Sequence, residues 1–356
     1  MNFDLDENQT LFKATVERFA GTGDAVIYRA ARALPGGIDP ARWQECATLG
    51  LLGLPAAESH GGIGGSTLDC AVVAEALGRG MIPEPWLEAA YLPLRLLAGS
   101  AAGAGLSARI ASGAERVAVA FAEPGQRYRT EPKLVRAARR DGGWTIAGTK
   151  SFVLAGDGAT TYLVTAATDD GAALFAVPAA LGQARGYRLV DGSRAVELTF
   201  YDAIVDDAAH VGDAAGIATA VSEARLMAAA EMLGLAQKLF DDTLIYVRER
   251  RQFGQPIGRF QSIQHRLVDA YALLEQMRSM LWRTAMAGLG DGSAARGAKA
   301  FIADGALHIG HEAIQLHGGM GVSDDLAVGH AHKRILLLSK LFGDPADDLL
   351  AFAVAA

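Results

Sequence analysis

The strongest constraint on this chain is a pair of apolar seams in its last third. Leu226, Ala229, Ala230, Leu233, Phe240, Leu244 and Val247 form one stripe. Ile263, Leu267, Ala270, Leu274, Met277 and Leu281 form the next, stepping alternately by four and three. Spacing of that kind puts every apolar side chain on one narrow side of a helix. A seam sustained over so many turns predicts long antiparallel helices packed along their length.

The middle of the chain has a different period. Between about Glu115 and Val211, "RVAVAFAEPG", "WTIAGTKSFVLAG", "TYLVTAA", "ALFAVP" and "VELTFYDAIV" are short β-branched or aromatic runs split by Gly, Pro and Asp. That spacing predicts an antiparallel β domain and not βαβ units. Ahead of it the pattern is helical again: Leu5, Leu11, Phe12, Val16 and Phe19 share a face. The glycines of "ESHGGIGGS" (58–66) permit a tight connection, and Gly78 is positioned to stop the helix that follows. The expected fold class is α+β, with an N-terminal helical domain (1–113), a middle β domain (114–212) and a C-terminal helical bundle (213–356).

With 356 residues the chain can bury a sizeable core and divide into two or three domains. Its net charge of −7 gives the surface as a whole no attraction for nucleic acid or anionic lipid. Only Cys46 and Cys70 occur, without a C-x-x-C, which argues against a disulfide framework or structural zinc. The acidic N-terminus lacks the pattern of a secretory signal. No uncharged apolar run of about 18 residues is present, so no membrane span is expected. These features predict a cytoplasmic protein.

"RERRQFGQPIGRFQSIQH" (248–265) lies where the first long C-terminal helix should end and the next begin. A helix C-terminus favours cations, which accounts for Arg248, Arg250 and Arg251 as partners of the helix dipole. It does not account for "QFG". The Phe253-Gly254 step implies a sharp bend that holds the preceding side chains outward, and Arg is suited to forking a pyrophosphate. On the residues alone, a solvated helix end and an anion site both remain open.

The same stretch, continued to "RERRQFGQPIGRFQSIQHRLVDA", resembles the signature of the flavin-dependent acyl-CoA dehydrogenases. "FDLDENQTLFKATVERFA" is similar to that family's first helix, and "LGLLGLPAAESHGGIGGSTLDCAVVAEALGRG" (49–80) to its third and fourth helices. "AEPG" (122–125) and "WTIAGTKSFVLAG" (144–156) resemble its β domain, and "QLHGGMGVSDDLAVGHAHKRI" (315–335) its late Gly-Gly turn. The resemblance implies FAD between the β domain and the C-terminal bundle, its adenine half reaching a neighbouring subunit. It implies Arg250 on the FAD pyrophosphate, with Gln252 and Phe253 beside it and Gln261 nearby. Gln315, Gly318 and Gly319 would border the adenosine from across an interface. On the residues alone, Gly318-Gly319 is equally an ordinary C-cap pair. An acyl-CoA substrate, a homo- or hetero-oligomer and an electron-transfer flavoprotein as acceptor are implied as well.

The chain departs from the resemblance where the chemistry should be. A carboxylate must take the proton α to the thioester, in a dry pocket that raises its pKa. The usual Glu position falls on Phe342 in "LFGD", and the alternative position, before the arginine motif, on Ala224. Glu223 is adjacent, but one step turns a helical side chain by about 100°. Asp344 is a second substitute, though "GDPADD" reads more simply as a turn or capped helix start. No catalytic residue is therefore assigned. The family's "TEPGAGSD" becomes "AEPGQRYRT", and Leu154 replaces the Thr expected beside flavin N5. Losing base, pocket loop and flavin edge while keeping the interface motifs resembles the shorter subunit of heteromeric acyl-CoA dehydrogenases, which commonly handle bulky, sterol-derived acyl groups. Two alternatives are a self-sufficient homo-oligomer with a relocated base (Glu223 or Asp344) and a structural partner without flavin.

Other motifs carry less. His308 and His311 have helical spacing but no recurrent acidic or thiol partner, so no metal site is expected. "HAHKR" (330–334) reads as a solvated basic turn. "SHGGIGGS" lacks the strand and Lys-Ser/Thr of a phosphate loop, and Glu84 between two prolines reads as structural.

Overall fold

The computed structural model describes residues 5–214, 216–290 and 292–355. Phe3 and Asp4 of the first-helix motif lie outside them. Six helices come first: α1 (Glu7–Ala20), α2 (Ala25–Ala33), α3 (Pro40–Thr48), α4 (Thr67–Arg79), α5 (Leu92–Leu96) and α6 (Ala104–Ala111). Asp6 starts α1 through a capping box with Gln9, satisfying two N–H groups that the helix leaves unpaired. The expected stop at Gly78 is not where α4 ends. Gly78 lies inside the last turn and serves packing instead.

Eight strands follow: β1 (Val117–Ala120), β2 (Arg136–Arg140), β3 (Gly143–Leu154), β4 (Thr161–Thr168), β5 (Gly171–Pro178), β6 (Gln183–Arg188), β7 (Arg194–Asp206) and β8 (His210–Asp213). They form one sheet in the order β6-β7-β3-β2-β4-β5-β8, with β1 alongside β4. The sheet is antiparallel except where β4 meets β1 and β2 in parallel. The expected antiparallel domain is present with two parallel pairings in it, since strand composition does not encode the direction of a neighbour. Phe175, Leu198, Ile146, Val164 and Val153 anchor the core against it.

The C-terminal region holds α7 (Ile217–Glu249), a two-residue hairpin of β9 (Arg251–Gln252) and β10 (Gln255–Pro256), then α8 (Gln261–Ala287), α9 (Ser293–His317), α10 (Ala327–Lys340) and α11 (Pro345–Ala355). Both predicted seams are helix faces. Leu226 and Leu233 on α7, and Leu274, Met277 and Leu281 on α8, are fully buried.

The chain divides into two compact units. One comprises 1–30, 67–82 and 225–356; the other comprises 31–66 and 83–224. Within the first unit, α4 and α7 cross at a pair of glycines. A Cβ on Gly78 would lie 2.2 Å from the Glu231 carbonyl oxygen, and one on Gly234 2.0 Å from that of Glu75. Only glycine permits so close a backbone approach. Gly305 plays the same part between α9 and α8, where a Cβ would come within 2.5 Å of Met277 Sδ. In the second unit, Glu84 is buried and accepts from Arg42 Nε at 2.9 Å, the structural role expected of it.

Candidate functional site

The arginine stretch forms the tip of the α7–α8 connection. Phe253 (φ 52) and Gly254 (φ 81) are the central pair of the β9–β10 hairpin, and two positive φ values are those of a type I′ turn. Asn-Gly normally fills such a turn; a phenylalanine in the left-handed region is strained. The residue is 91% exposed, and among the described residues its ring meets Phe260 edge-on at 6.2 Å. Arg250 sits between α7 and the hairpin. Its backbone N–H donates to Tyr246 O (2.8 Å), and its carbonyl accepts from Ile257 N–H (2.8 Å). Arg248, Arg250 and Arg251 are exposed, and no acidic side chain pairs with them among the described residues. Gln252 and Gln261 are also exposed, Gln252 on β9 and Gln261 at the first position of α8.

The late glycines sit close to this tip within the same unit. Tyr246, one turn before Arg250, donates its hydroxyl to His317 O (3.3 Å) and stacks on the His317 imidazole (centroids 4.3 Å apart, 24° between planes). Gly318 caps α9 at φ 60, its N–H donating to Gln315 O, and the Gln315 side chain is exposed. A Cβ on Gly318 or Gly319 would meet nothing within 4 Å. The turn thus presents bare backbone to open space. Unpaired guanidinium groups, an uncovered aromatic ring and a glycine turn suit an anionic, flat ligand such as a dinucleotide. The C-cap reading of the glycines is realised, and the same turn leaves its backbone open.

The positions where a base would stand are closed. Phe342 is buried, holds φ 61, and its carbonyl accepts from Arg225 Nε at 2.8 Å. Around it lies a buried ion cluster. Asp348 accepts from Arg296 Nη1 (3.0 Å) and Lys299 Nζ (3.1 Å), and Arg225 Nε stands 3.4 Å from it. Lys299 also donates to the carbonyls of Ser339 and Gly343, so its cation ties α9 to the 339–348 turn. Burial pulls Arg225 down to about 10, helped by Arg296, and pulls Lys299 down too. Burial likewise raises Asp348 against the pull of its cations. Asp344 caps α11 by accepting from Ala346 and Asp347 N–H (3.0 and 2.9 Å), as its sequence context suggested. In the other unit, Ala224 is fully buried, and Glu223 takes both arms of Arg95 (2.6 and 2.8 Å). A carboxylate held in such a fork is pinned as an anion in an ion pair.

A second buried network organises the loop after β1. Glu123 accepts from the backbone N–H groups of Lys133, Leu134 and Val135 (2.8, 2.7 and 3.0 Å), from Gln126 Nε2 and from Lys150 Nζ (2.8 Å). Burial would raise its carboxyl, but the Lys150 ammonium and those N–H groups hold it below the usual range. Lys150, fully buried on β3, also reaches Thr165 and is drawn down to about 8 by burial. Leu154, half-buried on β3, faces Ala195 across the β3–β7 pairing.

Sequence reasoning missed both buried networks, though signals existed. Lys150 shares strand parity with Trp144 and Ile146, and so points inward. Lys299 falls on the buried stripe of Ala295, Ile302 and Ala306. Nothing in the sequence marks Tyr246 as the residue that joins the two exposed motifs. His311, weighed as a ligand, instead meets His332 (ring centroids 4.9 Å apart).

The model of the acyl-CoA dehydrogenase N-terminal domain matches residues 6–92, and that of the C-terminal domain residues 215–345. The acyl-CoA dehydrogenase FadE27 of Mycobacterium tuberculosis is 32% identical over 84% of this chain and 82% of its own length. The chain belongs to the acyl-CoA dehydrogenase family. As a family member it is an FAD-dependent oxidoreductase. Among solved structures, the Tcur3481–Tcur3483 steroid ACAD is 30% identical and covers 98% of this chain and 97% of its own, with a TM-score of 0.87. The ChsE4–ChsE5 complex from Mycobacterium tuberculosis is 26% identical over 99% and 98%, with a TM-score of 0.88. Both are assemblies of two different chains, and the expected likeness to a heteromeric subunit is found in them. Among the described residues, no helix is long and apolar enough to cross a membrane.

Proposed function

We propose that this chain is the base-lacking subunit of a heteromeric acyl-CoA dehydrogenase, and that a related partner chain supplies the catalytic Glu. The observation that carries this reading is the closed turn at Phe342. A buried phenyl ring stands where the family's proton acceptor is expected, and the backbone there is fixed by Arg225 and Lys299. The two conceivable substitutes are already committed, Glu223 to Arg95 and Asp344 to the start of α11. Taking a proton from the carbon α to a thioester needs a free, desolvated carboxylate of raised pKa. Neither acid meets that description.

Arg250, Gln252, Phe253 and Gln261, with Gln315, Gly318 and Gly319, would hold the pyrophosphate and adenosine parts of FAD. Their exposure suits a cofactor shared with the partner. FAD, when bound, accepts the hydride that leaves the β carbon of the acyl group. What this chain supplies is a guanidinium for negative charge, an aromatic face and backbone at close range. The similarity to a steroid ACAD supports a bulky, steroid-derived acyl-CoA. An electron-transfer flavoprotein is the proposed acceptor, and the cytoplasm the compartment, in keeping with two free buried thiols.

The visible spectrum tests this directly. The purified chain should be colourless or unreactive alone and should gain acyl-CoA-reducible flavin only on mixing with a longer related chain. A yellow chain whose flavin is bleached by acyl-CoA without a partner would defeat the proposal in favour of a self-sufficient enzyme.

A further inference from the structure

The two halves of the proposed cofactor site come from segments far apart in the chain. Arg250 lies on the α7–α8 connection, and Gly318 and Gly319 follow the end of α9. Each half is anchored on its own helix. A Cβ on Gly258 would lie 3.0 Å from the Val247 carbonyl oxygen, so the chain leaving the hairpin is laid directly on the end of α7. Gln264 Nε2, in the first turn of α8, donates to Gly258 O at 3.0 Å. A Cβ on Gly321 would lie 2.7 Å from the Ile314 carbonyl oxygen, so the glycine turn folds back on α9. These anchors tie each half to its own helix and do not set the distance between them.

Tyr246 joins the halves. Its half-buried ring lies on the His317 imidazole, and its hydroxyl donates to His317 O. That imidazole is buried and held in turn, its Nδ1–H donating to Ala313 O at 2.8 Å. His317 is followed directly by Gly318. On the other side, Tyr246 O accepts the Arg250 N–H at 2.8 Å, so Arg250 hangs one helical turn beyond the ring. An aliphatic side chain could cover the same helix surface. Tyrosine adds a flat face that fits an imidazole and a donor for the backbone of the facing helix. A ligand that touches two anchored groups gains affinity when their spacing is already fixed in the fold.

We propose that Tyr246 is a positioning residue for the shared FAD. Clamped on His317, it holds the Arg250 guanidinium and the Gly318-Gly319 backbone at the spacing at which both meet one dinucleotide. The proposal rests on the cofactor reading above and adds what sets the geometry of that site. Tyr246 acts through Arg250 and the glycine turn, not by contact with the cofactor.

The test is titration of FAD into the complex of this chain with a longer related chain, followed by quenching of flavin fluorescence. Tyr246→Leu removes ring and hydroxyl and should weaken FAD binding about tenfold, the scale of a lost aromatic pair. Tyr246→Phe keeps the stack and should stay within about threefold of the parent, the loss of one neutral hydrogen bond. Added to Arg250→Ala, Tyr246→Leu should cost less than about twofold more, because the clamp no longer has that guanidinium to place. A tyrosine that serves only the fold would give losses that multiply in full, and that result overturns the proposal. So does a Tyr246→Leu complex that binds FAD like the parent. Should the Leu variant fail to assemble, Tyr246→Phe and its double with Arg250→Ala carry the same comparison. If Arg250→Ala alone leaves FAD affinity unchanged, the cofactor reading falls and this proposal with it. If Arg250→Ala weakens FAD and Tyr246→Leu does not, the positioning role alone falls.

Discussion

The hairpin tip at Arg250–Gly254 and the turn at Phe342–Asp348 belong to one unit and are opposites. At the tip, guanidinium groups have no acidic partner among the described residues and a phenylalanine in a strained conformation is bare. At the turn, a phenylalanine also holds positive φ, but it is buried and its carbonyl is bonded. Three cations there converge on one buried carboxylate. Strain and unmet charge persist in a fold only when something offsets them. At the turn, the offset lies within the chain. At the tip, none of the described residues supplies it. The first pattern is self-contained structure, and the second is what the proposed cofactor and subunit contact requires.

The largest effect should come from breaking the turn. Asp348→Ala leaves Lys299 and Arg225 buried without their carboxylate and should cost about 3–5 kcal/mol of stability, read by chemical denaturation. A loss under about 1 kcal/mol would mean that the cluster is not what holds the turn. Because that variant risks failing to fold, Arg296→Gln offers a milder check at the half-exposed edge of the same cluster.

Next is the anchor of the β unit. Glu123→Gln leaves Lys150 unpaired and should cost about 3 kcal/mol at neutral pH. The pH dependence follows from the lowered carboxyl. Its contribution is fully present above its ordinary value of 4.5 and is lost as pH falls through the lower folded value. The melting-temperature gap between parent and variant should therefore narrow as pH falls below 4.5, well below the range in which Lys150 titrates. A gap that widens below pH 4.5 would contradict the assignment.

How legible these regions were in the sequence differs for the same reason that they differ in structure. The seams of α7 and α8 were readable because burial writes a period into the chain. The hairpin tip was readable because Phe-Gly between two helices forces a bend. The turn at Phe342 was visible only as an absence, a base that should have been there. Its replacement by Asp348, Lys299 and Arg225 joins residues far apart in the chain, and pairwise charge matching over such distances leaves no local pattern. The parallel pairings of β4 were hidden likewise, since composition does not record a neighbour's direction.

A smaller effect is expected at the tip. Arg250→Ala should reduce FAD retained by the assembled complex about tenfold, the loss of one charge-assisted contact. Stability of the isolated chain should change by no more than about 0.5 kcal/mol, as for an exposed side chain. Equal flavin content in both complexes would remove Arg250 from the cofactor site. Loss of folding along with flavin would show instead that the guanidinium serves the fold.

The smallest effect is also the one that separates the two regions most cleanly. Phe253→Asn replaces a bare ring in the left-handed region with the residue that type I′ turns favour. The isolated chain should gain on the order of 0.5–1 kcal/mol, since no buried area is lost and the backbone strain is relieved. Flavin retention in the assembled complex should fall at the same time. Gain in one assay and loss in the other would mark the ring as kept for what covers it in the assembly. The corresponding change at Phe342 has no such trade to reveal: that ring is buried, and removing it leaves a cavity that costs about 3–5 kcal/mol. If Phe253→Asn instead destabilises the isolated chain, the edge-on contact with Phe260 is part of the fold, and the tip is no more poised for an outside partner than the turn.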